Sequence, residues 1–246
     1  MRLEPSDKSE MVSQLLFGEP FEIREQNKQW LRIHSYHDDY DGWIDEKQMQ
    51  SLPLKSFKEL TANATHCSMD LMTNAKSGLR TVHLPIGSSL PYYSDAVFQL
   101  NEEAFKLEGA VSDPSDQQLS LQIPEFALRF LDAPYLWGGR SPLGLDCSGF
   151  TNVVFKLAAT RLRRDAWQQS EQGILVSFID ESRPGDLAFF HNEEGKITHV
   201  GIVLLNHKII HASGRVRIDT LDHYGIFNEE QKRYTHQLRL IRRIIA

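Results

Sequence analysis

Apolar and polar positions change rhythm near the middle of the chain. Up to about residue 113 the apolar residues come in short runs broken by turn residues. PFEIREQ and QWLRIHS flank the turn pair NK, and the polar loop YHDDYDG precedes WIDEKQM. Short, closely spaced strands of this kind predict a small β-barrel. From Pro53 to about Asp113 the pattern recurs loosely in LRTVHLP, a Gly-Ser-Ser turn, DAVFQLN and EAFKLEGAV. These segments predict a second small β-domain, with no clean sequence repeat between the two.

VSDPSDQQ (111–118) reads as a linker by composition. Beyond it the rhythm becomes helical. IPEFALRFL has Pro124 at the first helical turn. CSGFTNVVFKLAA places Phe150, Val153, Val154, Leu157 and Ala158 on one face. RDAWQQSEQG predicts a short helix capped by Asp165 and ended by Gly173. Strand-like runs follow: GDLAFFH, THVGIVLLN, KIIHAS, RVRID and LRLIRRII. Helices followed by an antiparallel sheet make an α+β domain. The predicted boundaries are 1–52, 53–113 and 114–246.

The 246 residues are 41% hydrophobic and 24% charged, which suffices for a buried core. A net charge of −6 with no long basic run argues against nucleic-acid binding. Cys67 and Cys147 are too few for a disulfide-stapled domain. Without Cys-x-x-Cys or His-Glu-x-x-His, no metal centre is expected. MRLEPSDKSEMVSQ lacks a signal-type apolar segment, and no apolar run nears the roughly 20 residues that span a bilayer. The expectation is a cytoplasmic monomer with no cofactor, nucleic-acid partner or membrane partner; a chain trimmed of a leader reads the same way.

Cys147 lies in APYLWGGRSPLGLDCSGF, between a glycine-rich loop and a predicted helix. Free N–H groups and the dipole at a helix N-terminus favour an anion and lower thiol pKa values. A cysteine there acts as nucleophile when a base lies within hydrogen-bond reach and is itself oriented. The same N–H groups can hold an oxyanion. Gly149 is read as leaving room around the sulfur. His199 opens HVGIVLL and His211 lies in IIHAS, with His207 at the tip of the hairpin between them. The hairpin brings His211 beside His199, so His199 can take the thiol proton while His211 fixes its tautomer. A buried cysteine acting only as a small hydrophobe fits the same residue. Cysteine and histidine are also zinc ligands, so the spacing alone leaves these readings open.

PYLWGGRSPLGLDCSGF, RPGDLAFF, ITHVGIVL and IIHAS, in that order, resemble the NlpC-type papain-like cysteine peptidases of bacterial cell-wall metabolism, from about Ile123 onward. QLLFGEPFEI and DDYDGW resemble the first bacterial SH3-like domain of one subgroup, the γ-D-glutamyl-L-diamino acid endopeptidases or dipeptidyl-peptidase VI group. The resemblance implies a papain-like domain, helices packed on an antiparallel sheet, behind two small SH3-like β-barrels. It implies hydrolysis of the γ-D-Glu–diamino acid bond of murein peptides whose N-terminal L-Ala is free, as in cell-wall peptide recycling.

The resemblance also implies residue roles. Cys147 is the nucleophile, His199 the base and His211 the third member. Tyr135 lies near the oxyanion or substrate, and Trp137 walls the cleft. Asp146 and Ser148 flank the nucleophile and contact substrate. Asp165 holds the free α-amine, a carboxylate being the matching charge. Glu19 and Tyr40, from the first barrel, close the amine pocket, since pockets favour domain interfaces. Subgroup members often have serine after the aspartate, where this chain has Ala166. Asp165 also suits a plain helix N-cap and Glu19 a plain turn. Two other readings stand beside this one: a broader endopeptidase on intact peptidoglycan, anchored to the wall by its SH3-like domains, and an inactive peptide-binding module.

Overall fold

The computed structural model describes residues 1–63, 65–116 and 118–245. The first unit is an antiparallel meander of β1 (Phe21–Asn27), β2 (Trp30–Ser35) and β3 (Tyr40–Asp45). Lys28 takes a positive φ in the β1–β2 turn. Single bridges from Arg2 to Trp43 and Met11 extend the sheet.

A helix, α1 (Leu54–Ala62), follows where the β-pattern was expected to resume at Pro53. Pro53 stands at its N-cap position, and only Leu60 is buried, so this helix is an amphipathic surface element. The β-pattern resumes in a four-stranded sheet of β4 (Met72–Ser77), β5 (Arg80–Pro85), β6 (Val97–Leu100) and β7 (Glu103–Glu108), ordered β5-β4-β7-β6. A small sheet of His66–Ser68, Ser89–Leu90 and Val111–Ser112 lies beside it. The first two residues of the expected linker therefore pair with Ser68 and Cys67.

The third unit begins with α2 (Ile123–Leu128), α3 (Cys147–Leu157) and α4 (Ala166–Gln169). All eleven residues of α3 are buried, as in a helix packed on every side. The strands are β8 (Ile174–Val176), β9 (Leu187–His191), β10 (Ile197–Leu204), β11 (Lys208–Ser213), β12 (Arg215–Leu221), β13 (Gly225–Asn228) and β14 (Arg233–Arg243). Their order is β8-β14-β9-β10-β11-β12-β13, antiparallel throughout, and β13 also pairs with β14. The sheet thus closes on itself, with α2 and α3 packed against one side.

Three consecutive residues fix how the units meet. Leu15 packs with the first barrel's core of Leu31, Ile33 and Ile44. Leu16 joins the core of α3 and β10. Phe17 stands edge-on to the stacked rings of Phe98 and Phe105 in the middle unit. An extended chain turns successive side chains to different sides, and here each side is a different domain.

Candidate active site

Cys147 is the first residue of α3, and Asp146 is its N-cap in an extended conformation. The Asp146 carboxylate accepts the Gly149 N–H at 2.6 Å and the Gly138 N–H at 2.9 Å. It also pairs with Arg164, whose Nη2 lies 2.6 Å from Oδ2. Arg164 Nη1 donates to the Ser148 hydroxyl at 2.9 Å. Asp146 and Ser148, expected to touch substrate, are as buried as Cys147 itself, and their side chains are held by these partners. Their geometry fits the work of pinning the glycine-rich loop to the helix start. Gly149 also departs from expectation. A Cβ there would lie 2.1 Å from the Gly139 carbonyl oxygen, so its missing side chain admits the loop rather than freeing space at the sulfur.

The Cys147 thiol is buried against β10. Burial first, then the Asp146 carboxylate, pushes its pKa up to about 12. The Val200 and Ser148 backbone N–H groups and the Arg164 charge pull the other way. The resting group is therefore a neutral thiol that becomes a nucleophile as its proton leaves.

The acceptor of that proton follows from a chain of hydrogen bonds. Asp219, on β12, is buried and held to about 2; burial pushes it up, but hydrogen bonds from His211 and Arg217 prevail. Its Oδ2 lies 3.1 Å from His211 Nε2. A carboxylate only accepts, so His211 carries its proton on Nε2. Burial holds His211 neutral, which leaves Nδ1 bare. His199 Nε2 lies 2.8 Å from that Nδ1 and so must donate. His199 is buried, and desolvation followed by the neighbouring His211 and His236 keeps its pKa well below the usual imidazole range. Its Nδ1 is left as the free base. The register is diagonal: His211 stands opposite Gly201, two residues beyond His199 on β10.

Arg217 grips Asp219 at 2.7 and 3.0 Å and reaches Glu230 at 3.0 Å. Sequence reasoning assigned no role to Asp219 or Arg217. The signal was present in RVRID, where a spacing of two puts both charges on one face of a strand. His236, on β14, stacks on His199 with centroids 4.1 Å apart and planes at 23°. No sequence pattern pointed to it.

The predicted substrate residues divide. Tyr135 is half-buried, and burial, then the neighbouring acidic groups of Cys147 and Asp146, raise its hydroxyl to about 12. Trp137 is 60% exposed rather than core, and its Nε1–H donates to Glu10 at 2.6 Å. Asp165 stands at the N-cap of α4, where its backbone N–H donates to the Gln168 side chain at 3.0 Å. Burial raises its pKa against the pull of Arg164. Tyr40, on β3, lies against the Asp165 carboxylate, and burial and that carboxylate raise its hydroxyl to about 12. Two residues 125 positions apart thus meet across the domain boundary.

Glu19 does not join them. Its side chain is fully buried, and Arg140 clasps it with Nη1 and Nη2, each at 2.9 Å. Lys156 Nζ lies 2.6 Å away. Burial alone would raise its pKa, but these two cations hold it well below the carboxylate range. Glu19 is a structural anion between barrel and α3, with no charge left for a substrate amine. Glu10, an exposed carboxylate of the N-terminal segment, lies beside Trp137.

Comparison with known proteins agrees with this architecture. Residues 132–239 match the NlpC/P60 family, and residues 1–49 match the bacterial dipeptidyl-peptidase Sh3 domain. The chain is similar to the γ-D-glutamyl-L-lysine dipeptidyl-peptidase of Bacillus subtilis (strain 168), 28% identical over 222 residues, covering 81% of this chain and 71% of that protein. It is also similar to dipeptidyl-peptidase 6 of Lysinibacillus sphaericus, 25% identical over 251 residues, covering 89% and 87%. The crystal structure of an NlpC/P60 family protein from Bacillus cereus ATCC 10987 has the same fold, with a TM-score of 0.80 at 22% identity, covering 96% of this chain and 82% of that one. With a cysteine at a helix start and a histidine pair on the facing sheet, the chain carries an NlpC/P60 domain at residues 132–239, with a bacterial dipeptidyl-peptidase SH3 domain in front of it at residues 1–49.

Proposed function

We propose that this protein hydrolyses the γ-D-Glu–diamino acid bond of murein peptides whose N-terminal L-Ala is free, and that it serves cell-wall peptide recycling in the cytoplasm. The observation that carries the chemistry is the relay Asp219–His211–His199, which leaves His199 Nδ1 as base for the Cys147 thiol. The observation that favours a free amine is the meeting of Asp165 and Tyr40 at the junction with the first barrel. A carboxylate there matches an ammonium group, and a neighbouring domain limits how far a longer chain can extend. The names of the two dipeptidyl-peptidase relatives agree with this reading.

In the reaction, Cys147 Sγ bonds to the γ-carbonyl carbon of D-Glu while its proton passes to His199 Nδ1. N–H groups at the start of α3 steady the oxyanion. The C–N bond breaks, and His199 returns the proton to the leaving amine of the diamino acid. Water, losing a proton to His199, then attacks the thioester and releases L-Ala-γ-D-Glu with the free thiol. Cleavage of L-Ala-γ-D-Glu-meso-diaminopimelate is to be compared with that of the same peptide acetylated on L-Ala, by mass detection. Cleavage of the free form alone supports the amine pocket. Equal cleavage of both leaves the cysteine chemistry standing but points to an endopeptidase acting on intact wall.

A further inference from the structure

We infer that His236 is a positioning residue for the base: its ring holds His199 in the one plane where Nε2 meets His211 and Nδ1 is left for the thiol. The inference rests on Cys147 and His199 as nucleophile and base, and not on which peptide is cleaved. The two rings stack at 4.1 Å and 23°, while Phe190 sits beside both, at 5.8 and 5.9 Å. His211 meets both edge-on, at 5.0 and 5.6 Å. His199 is thus bounded by a stack on one face and by His211 at its Nε2 edge.

Local backbone features place the stack. β14 shifts register against β9 beside Phe190 and against β13 beside Ile226, the residue paired with His236. Gly225, next along β13, has a φ of +141°, and a Cβ there would lie 1.8 Å from the His236 carbonyl oxygen. Only glycine lets β13 come this close, so the approach that seats His236 is built into the chain. Bulges of this kind re-aim side chains beside active sites.

The chemistry asks for such a ring. His199 turns cationic when it takes the thiol proton, and the face of a neutral aromatic ring favours a cation. Burial keeps His236 neutral, with its pKa lowered to about 4. Its Nδ1 meets the Thr235 hydroxyl at 2.9 Å. The other charged or titratable groups around His199 are Cys147 from α3, His211 from β11, and Asp219 with Arg217 behind it on β12.

The same three imidazoles bring ligand nitrogens within 4.8 Å of one another, which invites a metal reading. Near-parallel planes argue against it. Lone pairs lie in the ring planes, so those of His199 and His236 run side by side instead of converging on one ion, and His199 Nε2 is already bonded to His211.

The test is the rate of Cys147 alkylation by iodoacetamide against pH, read by mass on the Cys147 peptide, for the parent, His236→Ala and His236→Phe. This readout needs no substrate, so it stands apart from the peptide assay. Losing the stack should slow alkylation at neutral pH roughly two- to tenfold, the worth of one aromatic pair, and move the midpoint of the curve upward. Phenylalanine keeps a stacking face and should restore most of the rate. An Ala variant with the parental rate and midpoint overturns the inference. A Phe variant as slow as Ala also overturns it, by assigning the effect to the bond with Thr235.

Discussion

Arg140, in the loop before α3, and Glu19, in the first barrel, form a two-pronged ion pair with both side chains wholly inside the protein. The pair joins the unit that carries Cys147 to the unit that borders it. Lys156 from the last turn of α3 adds a second cation, and Leu16 and Phe17 pack into two further cores just ahead of Glu19. The relative placement of the first unit and α3 is therefore built into one short segment of the chain.

Neutralising Glu19 should destabilise the fold without touching the substrate amine. Glu19→Gln leaves buried Lys156 without its anion and Arg140 with only the more distant Asp38, 3.8 Å away, a loss on the order of 3–5 kcal/mol. Urea unfolding should show this loss, while KM for the free-amine peptide stays parental wherever the variant is folded. A raised KM with parental stability would return Glu19 to the pocket.

Asp165→Asn should act the other way. It removes a partly buried carboxylate that lies against Tyr40. KM for the free-amine peptide should rise on the order of tenfold or more, as for a lost charged hydrogen bond, while unfolding shifts little. Tyr40→Phe should raise KM by less. Steady-state kinetics on both variants checks this, and unchanged KM in both would remove the pair from the amine pocket.

Asp219→Ala should cut kcat on the order of 10–1,000-fold with a smaller change in KM, because His211 loses the acceptor that fixes its tautomer. His199 then no longer has an obligate acceptor in His211, and Nδ1 ceases to be reliably bare. The NMR signature of the His199 imidazole nitrogens, recorded with Cys147 replaced by Ala, should change from one tautomer to a mixture. A single unchanged tautomer in the Asp219→Ala protein would contradict the relay.

Acid should weaken the fold through the histidine cluster. His236 falls from its usual 6.5 to about 4, chiefly by burial, and His199 and His211 are lowered too. Unfolding lets these rings take protons that the folded state refuses. The stability they contribute is therefore complete above about pH 6.5 and is lost as pH falls toward 4. For His236 alone the loss is at most about 3 kcal/mol. Urea midpoints should drop between pH 7.5 and 5, and less steeply in His236→Phe. Equal slopes would show that His236 is not a buried neutral ring.

The helix start at Cys147 and the pairing of His199 with His211 were legible because each sits in a local pattern: a helix after a glycine loop, and two neighbouring strands joined by a tight hairpin. The helices and most strands of the third unit followed from the same periodicities. What escaped depends on contacts between distant segments. Glu19 sits in a turn-like FGE, and nothing local shows that Arg140, 121 positions on, closes over it. Asp146 and Ser148 flank the cysteine, yet Arg164 claims both. His236 reaches His199 only through closure of the sheet and two register shifts. Helix α1 was hidden because the β-like segments around it set the expectation for the region.

The measurement that tests the central claim most directly is rapid quenching of the enzyme during turnover of L-Ala-γ-D-Glu-meso-diaminopimelate, followed by peptide mapping by mass. The account predicts a transient adduct equal to the L-Ala-D-Glu acyl group on the peptide carrying Cys147, none on that carrying Cys67, and neither adduct nor product with Cys147→Ala. Product formation by Cys147→Ala at the parental rate, or an adduct confined to Cys67, would contradict it.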